Sequence, residues 1–199
     1  MDNPYWESHG QEHYVNIHTI KSLCFELTNI FEASMALSEE MTASEYADAK
    51  PAKIENFPLV ELHQELAFKK ASELLLQLAL LVRTYDDQMK SSDDSEKYLE
   101  FSKVNDSGDY IGILQGADKF YLREACNKII HAQEVRPIYE RATQYVIESD
   151  NENLGQDVWY MTGEIELSGK FRGKKWEAVL HLQPYLETVL GLIKYGLPK

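Results

Sequence analysis

Cysteine is scarce in this chain: Cys24 and Cys126 are the only two among 199 residues. Two thiols cannot build the disulfide framework of a small secreted domain, and no CxxC pair offers a zinc ligand set. Long apolar runs are missing too. The most apolar stretch, Leu74–Val82, has about half the length that a bilayer span requires. Residues 1–16 are too polar for a secretory leader. Positive charge is short in the first half, where residues 1–100 carry 19 acids against 8 bases (−11). Residues 101–199 carry 14 against 12 (−2). Binding a phosphate backbone needs a basic face. The first half has none, and only Lys170, Arg172, Lys174 and Lys175 could form one locally. There is no Walker loop, GxGxxG, GxSxG or HExxH motif. The expectation is a soluble, cytoplasmic protein without membrane contact, bound metal or cofactor.

Hydrophobic residues form 44% of the chain and aromatics 11%, enough to fill a core. The length suits a single domain spanning 1–199. Its pattern predicts an α+β fold, mainly α: a helical part over 14–131, an antiparallel β-meander over 132–182 and a final helix over 184–196. Ile17, Ile20, Cys24, Leu27, Ile30 or Phe31, and Met35 recur at i+3/i+4 steps and predict a helix over 14–41. A linker follows to Phe57. Pro58 suits the first turn of a second long helix. Its stripe widens around Leu74–Val82, which places that segment either at the centre of the core or against a second copy of the chain. Lys90–Lys97 reads as a charged loop, Tyr98–Val104 as a short helix and Asn105–Gly116 as irregular. Asp118 is the expected N-cap of a helix ending at His131.

Beyond His131 the period becomes two. Val135–Glu140 and Gln144–Glu148 read as strands, and residues 150–156 as a loop. Trp159, Met161, Gly163, Ile165, Leu167 and Phe171 share one face of the next strand. Gly173 marks a turn, and Trp176, Ala178, Leu180 and Leu182 line the returning strand. Pro184 opens the last helix.

The candidate chemistry lies on the helix ending at His131. Arg123, Asn127 and His131 follow at i, i+4 and i+8, along one side. Leu122, Ala125, Cys126, Ile129 and Ile130 take the other. Arginine can grip a phosphate with its planar fork, histidine can move a proton near neutral pH, and an amide can hold a ribose or phosphate oxygen. The same residues could instead satisfy backbone groups near a helix end, where a histidine is favoured by the dipole.

The string Leu-Arg-Glu-Ala-Cys-Asn-Lys-Ile-Ile-His-Ala, residues 122–132, resembles the signature helix of HEPN domains (higher eukaryotes and prokaryotes nucleotide-binding). Those are small helical bundles, many of them metal-independent ribonucleases of bacterial defence systems, others non-catalytic modules that bind nucleotides or partners. Asn127, Lys128 and His131 match the family's string. Cys126 stands where its Arg is expected, and Arg123 precedes that place by about one turn. The resemblance implies a homodimer in which two such helices face each other. His131 would activate a ribose 2′-hydroxyl, Arg123 would stabilise the charged phosphorane and Asn127 would position either. It implies RNA or a nucleotide as ligand. A protein partner could bring positive surface to the acidic first half. The competing expectation is a non-catalytic dimeric interaction or nucleotide-binding module.

Other patterns are weaker. His9 and His13 are spaced for a shared metal on a helix, or belong to a solvated tail. His18 and His63 sit on amphipathic helices as packing residues. Glu164 and Glu166 could form a carboxylate pair or simply an exposed sheet face. The basic hairpin tip could touch RNA or an acidic partner, or serve only to protect the turn from aggregation.

Overall fold

Two long helices lie side by side because each carries a continuous apolar stripe. In the computed structural model, which describes residues 13–48, 57–106, 111–141 and 159–195, these are α1 (Ile17–Asp48) and α2 (Pro58–Ser91). α3 (Ser95–Asn105) turns back after a short loop. A strand, β1 (Gly112–Leu114), leads into α4 (Leu122–His131). Then come β2 (Glu134–Arg141), β3 (Trp159–Phe171), β4 (Lys174–His181) and α5 (Leu182–Leu192). The mainly helical α+β architecture, with its antiparallel sheet and terminal helix, follows the sequence pattern.

The stripe of α1 buries Ile20, Leu23, Cys24, Leu27 and Phe31 against Ala67, Ala71, Leu74, Leu75 and Leu78 of α2. Leu74, Leu75, Leu78, Ala79 and Val82 therefore belong to the core, while Leu76 and Leu80 face outward. Fully burying a leucine stabilises by about 1.5–3 kcal/mol, so this seam is a main source of cohesion. His63 Nε2 donates to Ile30 O at 2.9 Å, a packing tie between the two helices. Met35 departs from the expected stripe and is exposed. Ser34 takes the inward place instead, because its Oγ accepts the Met161 amide at 2.9 Å and so joins α1 to β3.

The sheet has the order β1-β4-β3-β2, antiparallel throughout. Met161, Ile165 and Leu167 of β3 and Trp176, Ala178 and Leu180 of β4 face the helices. Alternation sends Glu164, Glu166 and Glu177 to the other side. Arg172 and Gly173 both have positive φ (49° and 80°), the geometry of a two-residue primed turn. Trp159 and Phe171 share the inward parity but lie at the strand ends and stay exposed.

Several boundaries differ from the sequence expectation. α1 continues to Asp48, since no proline stops it before Pro51. α2 runs on to Ser91, so the charged loop shrinks to residues 92–94. The region expected to be irregular contains β1. Gly112 pairs with Leu180 at φ +149°, and a Cβ there would lie 2.0 Å from Val179 O, so only glycine fits. α4 begins at Leu122, not at Asp118. Phe120 is buried just before it, and Tyr121 is extended. The first helical amide, Leu122 N, donates to Asp106 Oδ2 at 2.8 Å, so the acid at that helix end comes from a distant residue. α5 starts two residues before Pro184, which a first turn tolerates, and ends at Leu192. The expected strand Gln144–Glu148, the loop at 150–156, and His9 lie outside the described residues. Among the described residues no helix is long and apolar enough to cross a membrane.

Candidate functional site

α4 is short and strongly two-sided. Leu122, Ala125, Cys126 and Ile129 are buried on one side; Arg123, Asn127 and His131 occupy the other, as the spacing predicts. The three do not converge on one point. At a rise of 1.5 Å per residue, Arg123 and His131 are separated by roughly 12 Å along the axis. His131 is exposed at the helix C-terminus. Arg123 and Asn127 both turn to the end of α2.

There Arg123 Nη1 bonds Asp86, and Nη2 donates to Asp87 Oδ1 at 2.8 Å. Arg83 Nε donates to Asn127 Oδ1 at 3.1 Å, and its Nη1 to Asp87 Oδ1 at 2.6 Å. Asp86 is the hub. It is buried, and it also accepts from Tyr98 Oη at 2.9 Å and Lys90 Nζ at 2.7 Å. A buried carboxylate persists only when paired and hydrogen-bonded, and Asp86 has three such partners. Burial, together with the Asp86 charge and hydrogen bond, pushes the Tyr98 hydroxyl well above its usual range. Burial acts against the Arg123 charge, but Asp87 and Asp86 outweigh it and stabilise the guanidinium.

Sequence reasoning missed Arg83, Asp86, Asp87 and Lys90. Their signal was present as charges at i, i+3, i+4 and i+7 that interrupt an apolar stripe at its C-terminal end. Cys126, where the family-like Arg was expected, points inward. It is 1% exposed, its Sγ lies 3.6 Å from Tyr185 Oη, and burial pushes its thiol up to about 12. A guanidinium at that position would be carried into the core.

Beside this cluster is a cavity of about 430 Å³ between α2, α3 and α4. Arg83, Lys90, Lys103, Lys119 and Arg123 line it, against only two carboxylates, Asp86 and Asp106. Val82, Tyr121, Leu122 and Leu192 supply apolar wall. Neither Asn127 nor His131 lines it. Arg83, Lys90 and Arg123 are already paired with Asp86 or with Asp87, which is not in the lining; five cations around one cavity still stand out in a chain of net charge −13. The Arg123–Asp87 pair is substantially exposed, with side-chain accessibilities of 39% and 52%, so it is weakly held and can yield to a competing anion.

A larger concavity, about 700 Å³, lies on the outer face of the sheet. Its charges are largely matched: Arg136 lies 3.6 Å from Glu134 and 3.7 Å from Glu166. Glu164 lies 3.5 Å from His181, so the two glutamates of β3 face different partners instead of forming a catalytic pair. Among the described residues no group of three or more His, Cys, Asp or Glu is placed to hold a metal ion. Comparison of the chain with protein-family models, curated proteins and solved structures returned no match.

Proposed function

We propose that this protein is a HEPN-like module that binds a nucleotide or a comparable phosphate-bearing ligand without cleaving it. The single observation that carries the reading is the lining of the 430 Å³ cavity, five cations to two carboxylates, with an apolar wall beside them. Planar guanidiniums of Arg83 and Arg123 suit phosphate oxygens. The half-exposed ring of Tyr121 offers a surface for a base. A ligand pocket with a mostly apolar wall and a few convergent polar groups is the usual form of a small-molecule site.

Binding is favoured over cleavage because His131, the only proton-transfer candidate of the row, stands apart from the cavity that holds Arg123. The placement in a bacterial stress or defence system, and RNA as the ligand's source, rest on the resemblance of residues 122–132. Two buried free thiols suit a reducing compartment such as the cytoplasm. A homodimer and a protein partner belong to the same reading.

The test is calorimetric titration with ATP, GTP, AMP and inorganic phosphate. Binding is expected, with Arg123→Ala and Lys103→Glu each weakening it at least about tenfold. No binding of any of the four overturns the reading. Cleavage of RNA that disappears in His131→Ala would replace it with the ribonuclease reading.

A further inference from the structure

Helix α2 carries a second seam, apolar at both ends and charged at its centre, opposite the one that packs on α1. Its members are Leu62, Leu66, Lys69, Glu73, Leu76 and Leu80, and all six are exposed. Their spacing is 4, 3, 4, 3, 4, the alternation that keeps a seam facing a neighbouring helix. Buried Ala67, Ala71, Leu74, Leu78 and Val82 occupy the other side of the same helix. A helix that needed only the core would show polar residues outward.

We infer that this seam is where a second copy of the chain docks, α2 against α2 and antiparallel, about a two-fold axis at residue 71. The order of the six side chains selects that occupant. Read forward it is Leu, Leu, Lys, Glu, Leu, Leu; read backward it is Leu, Leu, Glu, Lys, Leu, Leu. Antiparallel pairing therefore sets Leu62 against the second copy's Leu80, Leu66 against its Leu76, and Lys69 against its Glu73. The two-fold repeats each contact, as an isologous interface requires. Parallel pairing would set Lys69 against Lys69 and Glu73 against Glu73, which like charges forbid. Only a copy of this chain presents the matching order by construction.

The seam runs roughly 27 Å from Leu62 to Leu80. Lys70 flanks the axis and meets its own counterpart there. Its Nζ is held 3.4 Å from Glu73 of the same chain, which offsets the repulsion. At the ends the pattern stops, since Leu59 would face Arg83. This surface is not the α4-to-α4 contact that the resemblance implies. It goes beyond the homodimer named in the proposed function by putting the contact on α2, and it is independent of what the cavity binds.

Light scattering and sedimentation of the full chain across a concentration series test it, with helix content checked by circular dichroism. Wild type should have twice the monomer mass. Lys69→Glu and Glu73→Lys, both at exposed positions, should each raise the dimer dissociation constant at least about tenfold. The double swap Lys69→Glu/Glu73→Lys should dimerise more tightly than either single swap, because each new Glu again meets a new Lys, while loss of the Lys70–Glu73 contact keeps it weaker than wild type. A monomer at every concentration overturns the inference. So does a dimer that ignores the single swaps, or one in which the double swap is no tighter than either single swap. The readout is mass, so failure of nucleotide binding leaves this result unaffected.

Discussion

Arg123 of α4 bridges two consecutive carboxylates of α2, bonding Asp86 through Nη1 and standing 2.8 Å from Asp87 Oδ1 through Nη2. The two acids are not equivalent. Asp86 is 7% exposed and shared with Tyr98 and Lys90, whereas half of the Asp87 side chain meets solvent. One anchors α2, α3 and α4 to each other; the other is a solvent-exposed acceptor for Arg83 and Arg123.

That difference should appear in stability. Asp86→Ala leaves Lys90, Arg123 and the buried Tyr98 hydroxyl without their common acceptor, so it should cost about 3 kcal/mol or more. Asp87→Ala removes an exposed partner and should cost at most about 1 kcal/mol. Urea unfolding of the two variants checks this, and equal losses would contradict the division of roles.

Acid should expose the Asp87 pair. Partial burial would raise its carboxyl, but hydrogen bonds from Arg123 and Arg83, with their charges, hold it below the ordinary value of 3.8. A folded value below the unfolded one gives stability that is complete above about pH 4 and is lost as pH falls through the folded value. Urea midpoints of wild type should therefore drop more steeply than those of Asp87→Asn as pH falls below about 4. Parallel curves would show that the pair contributes nothing.

The thiols should be silent until the chain unfolds. Burial pushes Cys24 and Cys126 from 9.0 up to about 12. Iodoacetamide near pH 8 should modify neither in the native protein and both in urea, because the thiolate is the nucleophile. With folded values above unfolded ones, the contribution to stability is intact below pH 9 and declines from there toward pH 12. Rapid native labelling would place a thiol outside the core.

Gly112→Ala should detach β1. Its Cβ would fall 2.0 Å from Val179 O, in a backbone conformation closed to other residues. A loss of about 1–3 kcal/mol is expected. Faster hydrogen exchange at His181 N, which donates to Ile111 O, and at Gln115 N, which donates to Glu177 O, should accompany it. Unchanged exchange at both would mean that the edge survives without the glycine.

Local periodicity determined much of this protein by itself. The stripe from Leu59 to Tyr85 marks α2, although Leu59, Leu62 and Leu66 at its start are exposed; the alternation from Met161 to Leu180 marks the hairpin, and the two-sided helix ending at His131 carries Arg123, Asn127 and His131 along one edge. Such patterns are legible because each element must bury one face, and the spacing of that face is set by backbone geometry alone. The heptad order of Leu62 to Leu80 is equally legible, but only the structure reveals that the packing on α1 leaves it uncovered. Tertiary structure alone decided what each polar group meets. It turned Arg123 toward Asp86 and Asp87, left His131 outside the cavity, sent Cys126 into the core beside Tyr185, and paired β1 with β4 across some sixty residues of chain. Those outcomes depend on contacts between segments distant in sequence, where charge pairing and desolvation choose among partners that no local spacing distinguishes.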